Sequence, residues 1–585
     1  MRPSGARIFD FNAERSALVA EVERRVMQSV ASIGGTGGLE YLLNDAVFHE
    51  INRYEGRKTR RGRRSLARWV SVRRQLSGRD AEWIERQVWR LVHYHTEDIA
   101  GNFNPRVYGF ASRVLPLILS GILNAGSVDR RLQMFRSLAD RARVEGDVEH
   151  IRALSTRSTL ILVPTHSSNL DSLVVGGMLS ILGLSPMTYG AGKNLFSNPL
   201  FTFFMRNLGA YRVDRRLGFD LYKEVLKTYS QVLLERGFHS LFFAGGTRSR
   251  SNVLESHLKL GLLGTAFPAQ VERLRAGVPN PAIVVVPATI NYALVLEAET
   301  LIDDHLKREG QQRFIISDDE SSRANRVLSF LFHLLRIDNT LHLRFGTPMD
   351  LLGNPVDPDG VSRDPRGRRV DLASYFKIGG ELAVDQERDR EYTRQLGGYI
   401  ASSFRRNTIV LPTHLVARAL FRRVRFRFQD EDIYAFLRRD GTLSVARDQL
   451  LRDCADLRDG LRSLASEGQI VIGEAANEED MGAVLSRAVD TFRIYHSRPV
   501  IRMQGDRIVA GDLRLLLFYQ NRLEGYRIEE RIPEMDSGAV QVGAPGPEED
   551  AVLLGRVPRR LRKIAASDDA QVPLTPERSG GESGR

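Results

Sequence analysis

Between residues 158 and 346 of this 585-residue chain, short β-rich runs alternate with longer helical stretches, and this alternation constrains the fold most. The runs are TLILV (Thr159–Val163), FHSLFFA (Phe238–Ala244), AIVVVPATI (Ala282–Ile290) and LHLRFG (Leu341–Gly346). A strand with one wet face alternates apolar and polar residues. These runs are nearly continuous in apolar residues, so both faces are predicted to be buried. The spacing predicts an α/β domain over 151–350, with a mixed, largely buried sheet flanked by helices.

The flanks read differently. From about Phe11 to Glu149 apolar residues recur at helical spacing, which predicts a helical N-terminal region over 1–150. It holds a basic run, Arg57–Arg79, and a helix near Tyr108–Leu123 with a continuous apolar face. A Pro/Gly/Asp-rich loop occupies 351–370, and 371–532 reads as mainly helical, with a weak helix–turn–helix character near Ala435–Ile472. Residues 533–585 are rich in Gly, Pro, Ser and acidic residues, and a disordered tail is expected there.

Composition narrows the partners. Hydrophobic residues make up 42% and charged residues 27%, as in a folded globular protein. The formal charge of +12 calls for an anionic partner: nucleic acid, an anionic leaflet or phosphorylated small molecules. Within Arg57–Arg79 Trp69 is the one aromatic, so a base-stacking platform is missing and nucleic acid is disfavoured. Leu415–Phe428, LVARALFRRVRFRF, fits either a membrane interface or a helix face packed on the core. The lone Cys454 excludes an internal disulfide framework, and no Cys/His cluster has zinc spacing, so no metal site is expected. The N-terminus lacks the apolar core of a secretory signal, which predicts a cytoplasmic protein. The apolar stretches Val114–Leu123 and Ser172–Leu184 fall short of the roughly 20 residues that cross a bilayer, so any membrane contact is expected to be peripheral or monotopic.

The chemistry concentrates in TLILVPTHSSNLDSLVVGGML, where a polar cluster sits between an apolar strand and an apolar helix. Carboxyl ends of strands are where α/β sheets assemble sites. An imidazole at His166 can take a proton from a hydroxyl near neutral pH. Asp171 can fix its tautomer from the other ring nitrogen, or serve only as a helix N-cap. No Gly-x-Ser-x-Gly elbow, Walker loop or GxGxxG after a strand is present. Two further segments, LGAYRVDRR (Leu208–Arg216) and FFAGGTRSR (Phe242–Arg250), join turn glycines to arginines. Each suits a phosphate oxyanion or is a solvated basic turn.

In order and spacing these blocks resemble the glycerol-3-phosphate and dihydroxyacetone-phosphate acyltransferase branch of the glycerolipid acyltransferase superfamily. His166-Ser-Ser-Asn-Leu-Asp171 matches its His-x4-Asp block. Gly209-Ala-Tyr-Arg-Val-Asp-Arg215 matches the Gly-x-x-Phe-Ile-x-Arg block, and Phe243-Ala-Gly-Gly-Thr-Arg248-Ser249 the Phe-x-Glu-Gly-x-Arg-Ser block. Val286-Pro287 matches the closing strand, Lys259-Leu-Gly261 a later Lys-x-Gly, and Phe518–Tyr526 a late Tyr-Arg-Asn segment. The resemblance implies an α/β acyltransferase domain and transfer of an acyl group from acyl-CoA or acyl-carrier protein to a phosphorylated acceptor. Glycerol 3-phosphate, dihydroxyacetone phosphate and 1-acylglycerol 3-phosphate all stay open as acceptors. It implies His166 as the base and Asp171 as its orienting partner. Arg215, Gly246, Thr247, Arg248, Ser249, Lys193 and Lys259 would serve the acceptor, and Pro287 would shape the acyl-donor side; Arg212, at a position where the family has a phenylalanine, is expected to add a second cation for the phosphate. It implies no cofactor beyond the acyl donor, and work at the cytoplasmic face of the cell membrane against an anionic surface. Three positions depart from the pattern: Gly245 for its glutamate, Arg212 for its phenylalanine, and Ser167 after the histidine. A catalytically weak lipid-binding homologue is the reading that Gly245 keeps open.

Overall fold

A computed structural model describes residues 7–543, apart from 33–34, 57–58, 77–79, 113–141, 169–170, 194–198, 279–281, 310–340, 440–441, 494–495 and 536–539. The apolar stretch Val114–Leu123 and the tail from 544 onward lie outside the described residues. Four helices come first: α1 (Phe11–Ala31), α2 (Gly35–Tyr54), α3 (Arg60–Leu76) and α4 (Ala81–Ile99). Helix α1 buries Leu18, Val22, Val26 and Val30, four residues apart, and α4 buries Ile84, Val88, Leu91 and Val92. That spacing puts each set on one helix face. Asp80 starts α4 by accepting the Trp83 amide at 2.8 Å.

The chain continues as β1 (Ala142–Glu145), α5 (Val148–Arg157), β2 (Thr159–Pro164), α6 (Asp171–Ile181) and β3 (Thr188–Gly192). Next come α7 (Pro199–Asn207), β4 (Ala210–Val213), α8 (Asp220–Glu235), β5 (Ser240–Leu241) and α9 (Ala266–Arg275). Strand β6 (Ile283–Tyr292), α10 (Ala298–Glu309) and β7 (Leu341–Phe345) complete the sheet region. The seven strands lie in the order β1-β7-β6-β2-β5-β3-β4. All neighbours run parallel except β6 and β7, so the sheet is mixed, as the sequence predicts. Every residue of β2 and β6 is buried, in keeping with their unbroken apolar runs. The run at 238–244 makes only a two-residue strand, and the segment read as an arginine turn at 208–216 contains the edge strand β4.

The N-terminal helices pack on the face carrying α8, where Leu18, Val26 and Val88 share a core with Tyr222, Tyr229 and Val232. The C-terminal region consists of α11 (Gln386–Arg406), α12 (Pro412–Phe426), β8 (Thr442–Ala446), α13 (Arg447–Ser466), α14 (Met481–Phe492), β9 (Ile501–Gln504), β10 (Arg507–Ala510), α15 (Leu513–Gln520) and β11 (Gln541–Gly543). It is mainly helical, but β9-β10-β8-β11 form an antiparallel sheet that the sequence reading missed. Strands of three to five residues carry too little periodicity to be seen. One expectation is corrected: residues 541–543 are not disordered, because β11 pairs with β8. Of the two readings of Leu415–Phe428, the structure bears out the helix packed on the core: Leu415, Val416, Leu420 and Val424 are fully buried, and Arg423 makes a buried ion pair with Asp453. A single apolar core joins β2 and β6 to α12, α13 and α15, so the C-terminal region is packed onto the sheet across the 350–371 boundary.

Candidate active site

Strand β2 ends at Pro164, and the turn that follows carries His166 to the mouth of the sheet. Thr165 extends the ladder, its amide donating to Ala288 O at 3.0 Å and its hydroxyl accepting from the Ile290 amide at 2.9 Å. His166 Nδ1 lies 2.8 Å from Asp171 Oδ2, and the side chain stays 15% exposed. Asp171 is fully buried. The same oxygen accepts the Ser167 and Ser168 amides at 2.7 and 2.9 Å, while Oδ1 accepts the Tyr292 hydroxyl at 2.6 Å. Both carboxylate oxygens accept from these donors, and the ring Nδ1–H donates to Oδ2. This leaves Nε2 as the basic lone pair, with no bond to any described residue. Asp171 thus draws in the amides that precede it and the imidazole, which is more than a cap on its own helix.

The His166 ring stacks on Phe243 with centroids 4.2 Å apart. Its main chain is fastened at both ends by the segment 243–259. Glu255 Oε1 accepts the His166 amide at 2.8 Å, and the His166 carbonyl accepts the Ser249 amide at 2.8 Å. Burial raises the Glu255 pKa, against which the His166 amide and then the Arg522 charge work. Arg522 itself is buried and donates to Ile290 O at 2.7 Å and to Asn291 Oδ1 at 3.1 Å. Burial and the Asp171 carboxylate push the Tyr292 hydroxyl well above its ordinary range, so it stays a donor.

Cations complete the site. Arg248 Nη1 lies 3.5 Å from Glu297, a fully buried carboxylate that also accepts the Ser168 hydroxyl at 2.8 Å. Arg215 keeps an exposed edge and has no ion pair among the described residues; partial burial and then the Arg248 charge lower its pKa. Two guanidiniums that disfavour each other form a place for an anion. Ser249 Oγ donates to Val253 O at 2.8 Å, which shapes the loop instead of pointing a donor outward. Gly246 adopts φ +69°, and an added Cβ would come 2.5 Å from Lys259 Cδ, so the lysine stem lies across this glycine. Thr247 is half-buried in the same loop. Pro287 is buried in β6 opposite Val163 of β2, below the histidine turn.

The structure does not bring Lys193 and Arg212 into this group as free cations. Arg212 binds Asp98 at 2.6 Å, and Lys193 binds Asp98 and Asp214, each at 3.2 Å. Arg53 joins them by bridging Asp214 and Glu50. Three carboxylates match three cations, and the network ties α2 and α4 to the β3–β4 edge. The expectation that Arg212 adds a phosphate-binding charge is corrected for that reason. Sequence reasoning missed Tyr292, Glu297, Glu255 and Arg522. The first two follow the carboxyl end of β6, a position that could have flagged them.

Residues 145–291 match the family model described as Acyltransferase, over the strands and turns that carry His166, Asp171 and Arg248. This stretch is an acyltransferase domain, similar to those of glycerolipid acyltransferases. A glycerol-3-phosphate acyltransferase of Pseudomonas fluorescens strain Pf0-1 is 27% identical to the chain over 286 residues, 48% of this chain and 31% of that protein. One from Pseudomonas aeruginosa strain LESB58 is 29% identical over 213 residues, 36% of this chain and 23% of that protein. The matched stretch thus spans between about a quarter and a third of these relatives' length. The crystal structure of a 1-acyl-sn-glycerophosphate acyltransferase from Thermotoga maritima has 15% identity and a TM-score of 0.23, over 50% of this chain and 92% of that one.

Proposed function

We propose that this protein transfers a fatty acyl group from acyl-CoA or acyl-carrier protein to the hydroxyl of glycerol 3-phosphate or a closely related phosphorylated acceptor, in phospholipid synthesis. The observation that carries the reading is the His166–Asp171 pair at 2.8 Å with Nε2 unengaged, beside the Arg215–Arg248 pair of cations. His166 Nε2 takes the acceptor hydroxyl proton as its oxygen attacks the thioester carbonyl. The tetrahedral intermediate collapses, the C–S bond breaks, and the imidazolium returns the proton to the leaving thiolate. No enzyme nucleophile is needed, since the acceptor supplies the oxygen. Arg215 and Arg248 hold the acceptor phosphate, with Lys259 and the 246–249 turn beside it. The relatives' names support glycerol 3-phosphate as the acceptor, and 1-acylglycerol 3-phosphate and dihydroxyacetone phosphate offer the same hydroxyl beside a phosphate.

The site of work in this reading is an anionic membrane surface at the cytoplasmic face, held peripherally. Helix α3 supports it: Arg63, Arg64, Arg68, Arg73 and Arg74 are exposed, the helix has no acidic residue, and Trp69 and Leu76 face inward. No helix among the described residues is long and apolar enough to cross a membrane. The deciding experiment is thiol release from acyl-CoA and acyl-carrier protein, measured against the three acceptors. Acceptor-dependent release with at least one donor is expected. Release that no phosphorylated acceptor stimulates overturns the reading.

A further inference from the structure

We infer that Glu255 is a positioning residue for His166, and that it works from the side-chain space Gly245 leaves empty, so that positions 245 and 255 form one coupled pair. The inference rests on His166 being the base, and it explains a departure that otherwise counts against activity.

Gly245 is not a glycine for backbone reasons. Its neighbour Gly246 needs φ +69°, but Gly245 itself lies outside the positive-φ set and its conformation is open to any residue. What crowds a side chain there is Glu255. A Cβ built on Gly245 would sit 3.0 Å from Glu255 Cγ, 3.2 Å from its Oε1 and 3.3 Å from Thr247 O. The carboxylate therefore lies directly over the position where the resembled family carries a glutamate. The acid enters from ten residues further along the chain and occupies the same space.

The carboxylate is engaged there. Oε1 accepts the His166 amide at 2.8 Å, one residue before the Ser167 amide that Asp171 takes at 2.7 Å. Glu255 fixes the main chain of the base while Asp171 fixes its ring. The Ser249 amide holds the His166 carbonyl at 2.8 Å, so the peptide units on both sides of the base are pinned to the segment 243–259. Arg522 stands behind Glu255 as the buried countercharge, and Asn521 braces the same segment by donating to Ser251 O at 3.0 Å. Glu297, not Glu255, partners Arg248. Arg248 thus takes its acid from another residue, after β6.

Two acids cannot share the space over Gly245, and this makes the pairing testable by exchange. Glu255→Ala is expected to lower kcat about tenfold or more, by letting the histidine turn shift, with acceptor KM within about twofold of the wild type. Glu255→Gln keeps an oxygen for the His166 amide and is expected to recover most of kcat. Gly245→Glu alone is expected to lose activity and to lower Tm. In a Glu255→Gly background the same Gly245→Glu change is expected to raise both relative to the Gly245→Glu single variant. Unchanged kcat in Glu255→Ala, or an equal Tm cost of Gly245→Glu in both backgrounds, overturns the inference. Wild type and His166→Ala run in the same assay keep the two readings apart. An inactive wild type sinks the acyl-transfer reading, while the Tm cycle still reports whether 245 and 255 are coupled.

Discussion

The network around Asp98 and the cluster around Asp171 use the same residue types and do opposite things with them. Around Asp98, the three carboxylates of Glu50, Asp98 and Asp214 are satisfied by the three cations Arg53, Lys193 and Arg212. Around Asp171 the carboxylate is satisfied by donors without charge, namely two amides, the imidazole N–H and the Tyr292 hydroxyl. Among the described residues Arg215 has no acid of its own beside Arg248. An acid fed by neutral donors does not draw on Arg215, which is left to face an external anion, whereas an acid fed by cations consumes them. The first arrangement makes a site and the second makes a joint between α2, α4 and the sheet edge.

The largest effect should come from the centre of that contrast. His166→Ala is expected to lower kcat by about 10³ or more, and Asp171→Asn by roughly 10²–10⁴, since an amide cannot accept from all four donors and no longer fixes the tautomer. Acceptor KM should change little in either. A thiol-release rate for His166→Ala within a few-fold of wild type would remove the base from the reaction.

Next in size is the separation of the two sets of arginines. Arg215→Ala and Arg248→Ala each remove a charge-assisted contact worth about 1.5–3 kcal/mol, which raises acceptor KM roughly 10- to 150-fold. Arg212→Ala should leave KM within about threefold and lower Tm instead, because Asp98 keeps only Lys193. Steady-state kinetics and thermal melts on the same preparations read both quantities. An Arg212→Ala KM as high as that of Arg248→Ala would dissolve the contrast between site and joint.

The sequence carried the sheet core well, since β2 and β6 are buried on both faces and announce it by unbroken apolar runs. It carried His166 and Asp171 because their spacing is local: one turn puts the ring against the carboxylate. It did not carry the fate of Lys193 and Arg212, whose partner Asp98 lies about a hundred residues away on α4, a distance no window sees. Glu255 and Glu297 were hidden for the same reason, since each reaches the site by tertiary packing with no motif of its own, and Arg522 stood in the matched segment 518–526 with nothing local to tie it to the site. The antiparallel sheet at 442–543 escaped because its strands are short and partly polar on their exposed face.

The smallest effect sharpens the comparison in terms of histidines. His166 keeps a reachable nitrogen, whereas His239 is buried beneath the same strand, accepting the Leu160 amide on Nδ1 at 3.1 Å and donating from Nε2 to Ser155 O at 3.0 Å. Burial lowers its pKa to about 4 from an ordinary 6.5. The folded state therefore holds it neutral while the unfolded chain takes up a proton below pH 6.5. Stability present above that value is lost as pH falls through 6.5 toward 4, at about 1.4 kcal/mol per pH unit for this group. His95, His414 and His496, also buried and lowered to between about 3 and 4, act in the same direction. His239→Asn keeps an acceptor for Leu160 and cannot charge. It is expected to cost stability at pH 7 and to flatten the fall between pH 6.5 and 4 by one histidine's share. Chemical-denaturation curves across that range measure both, and an unaltered slope would mean that His239 takes up its proton in the folded state.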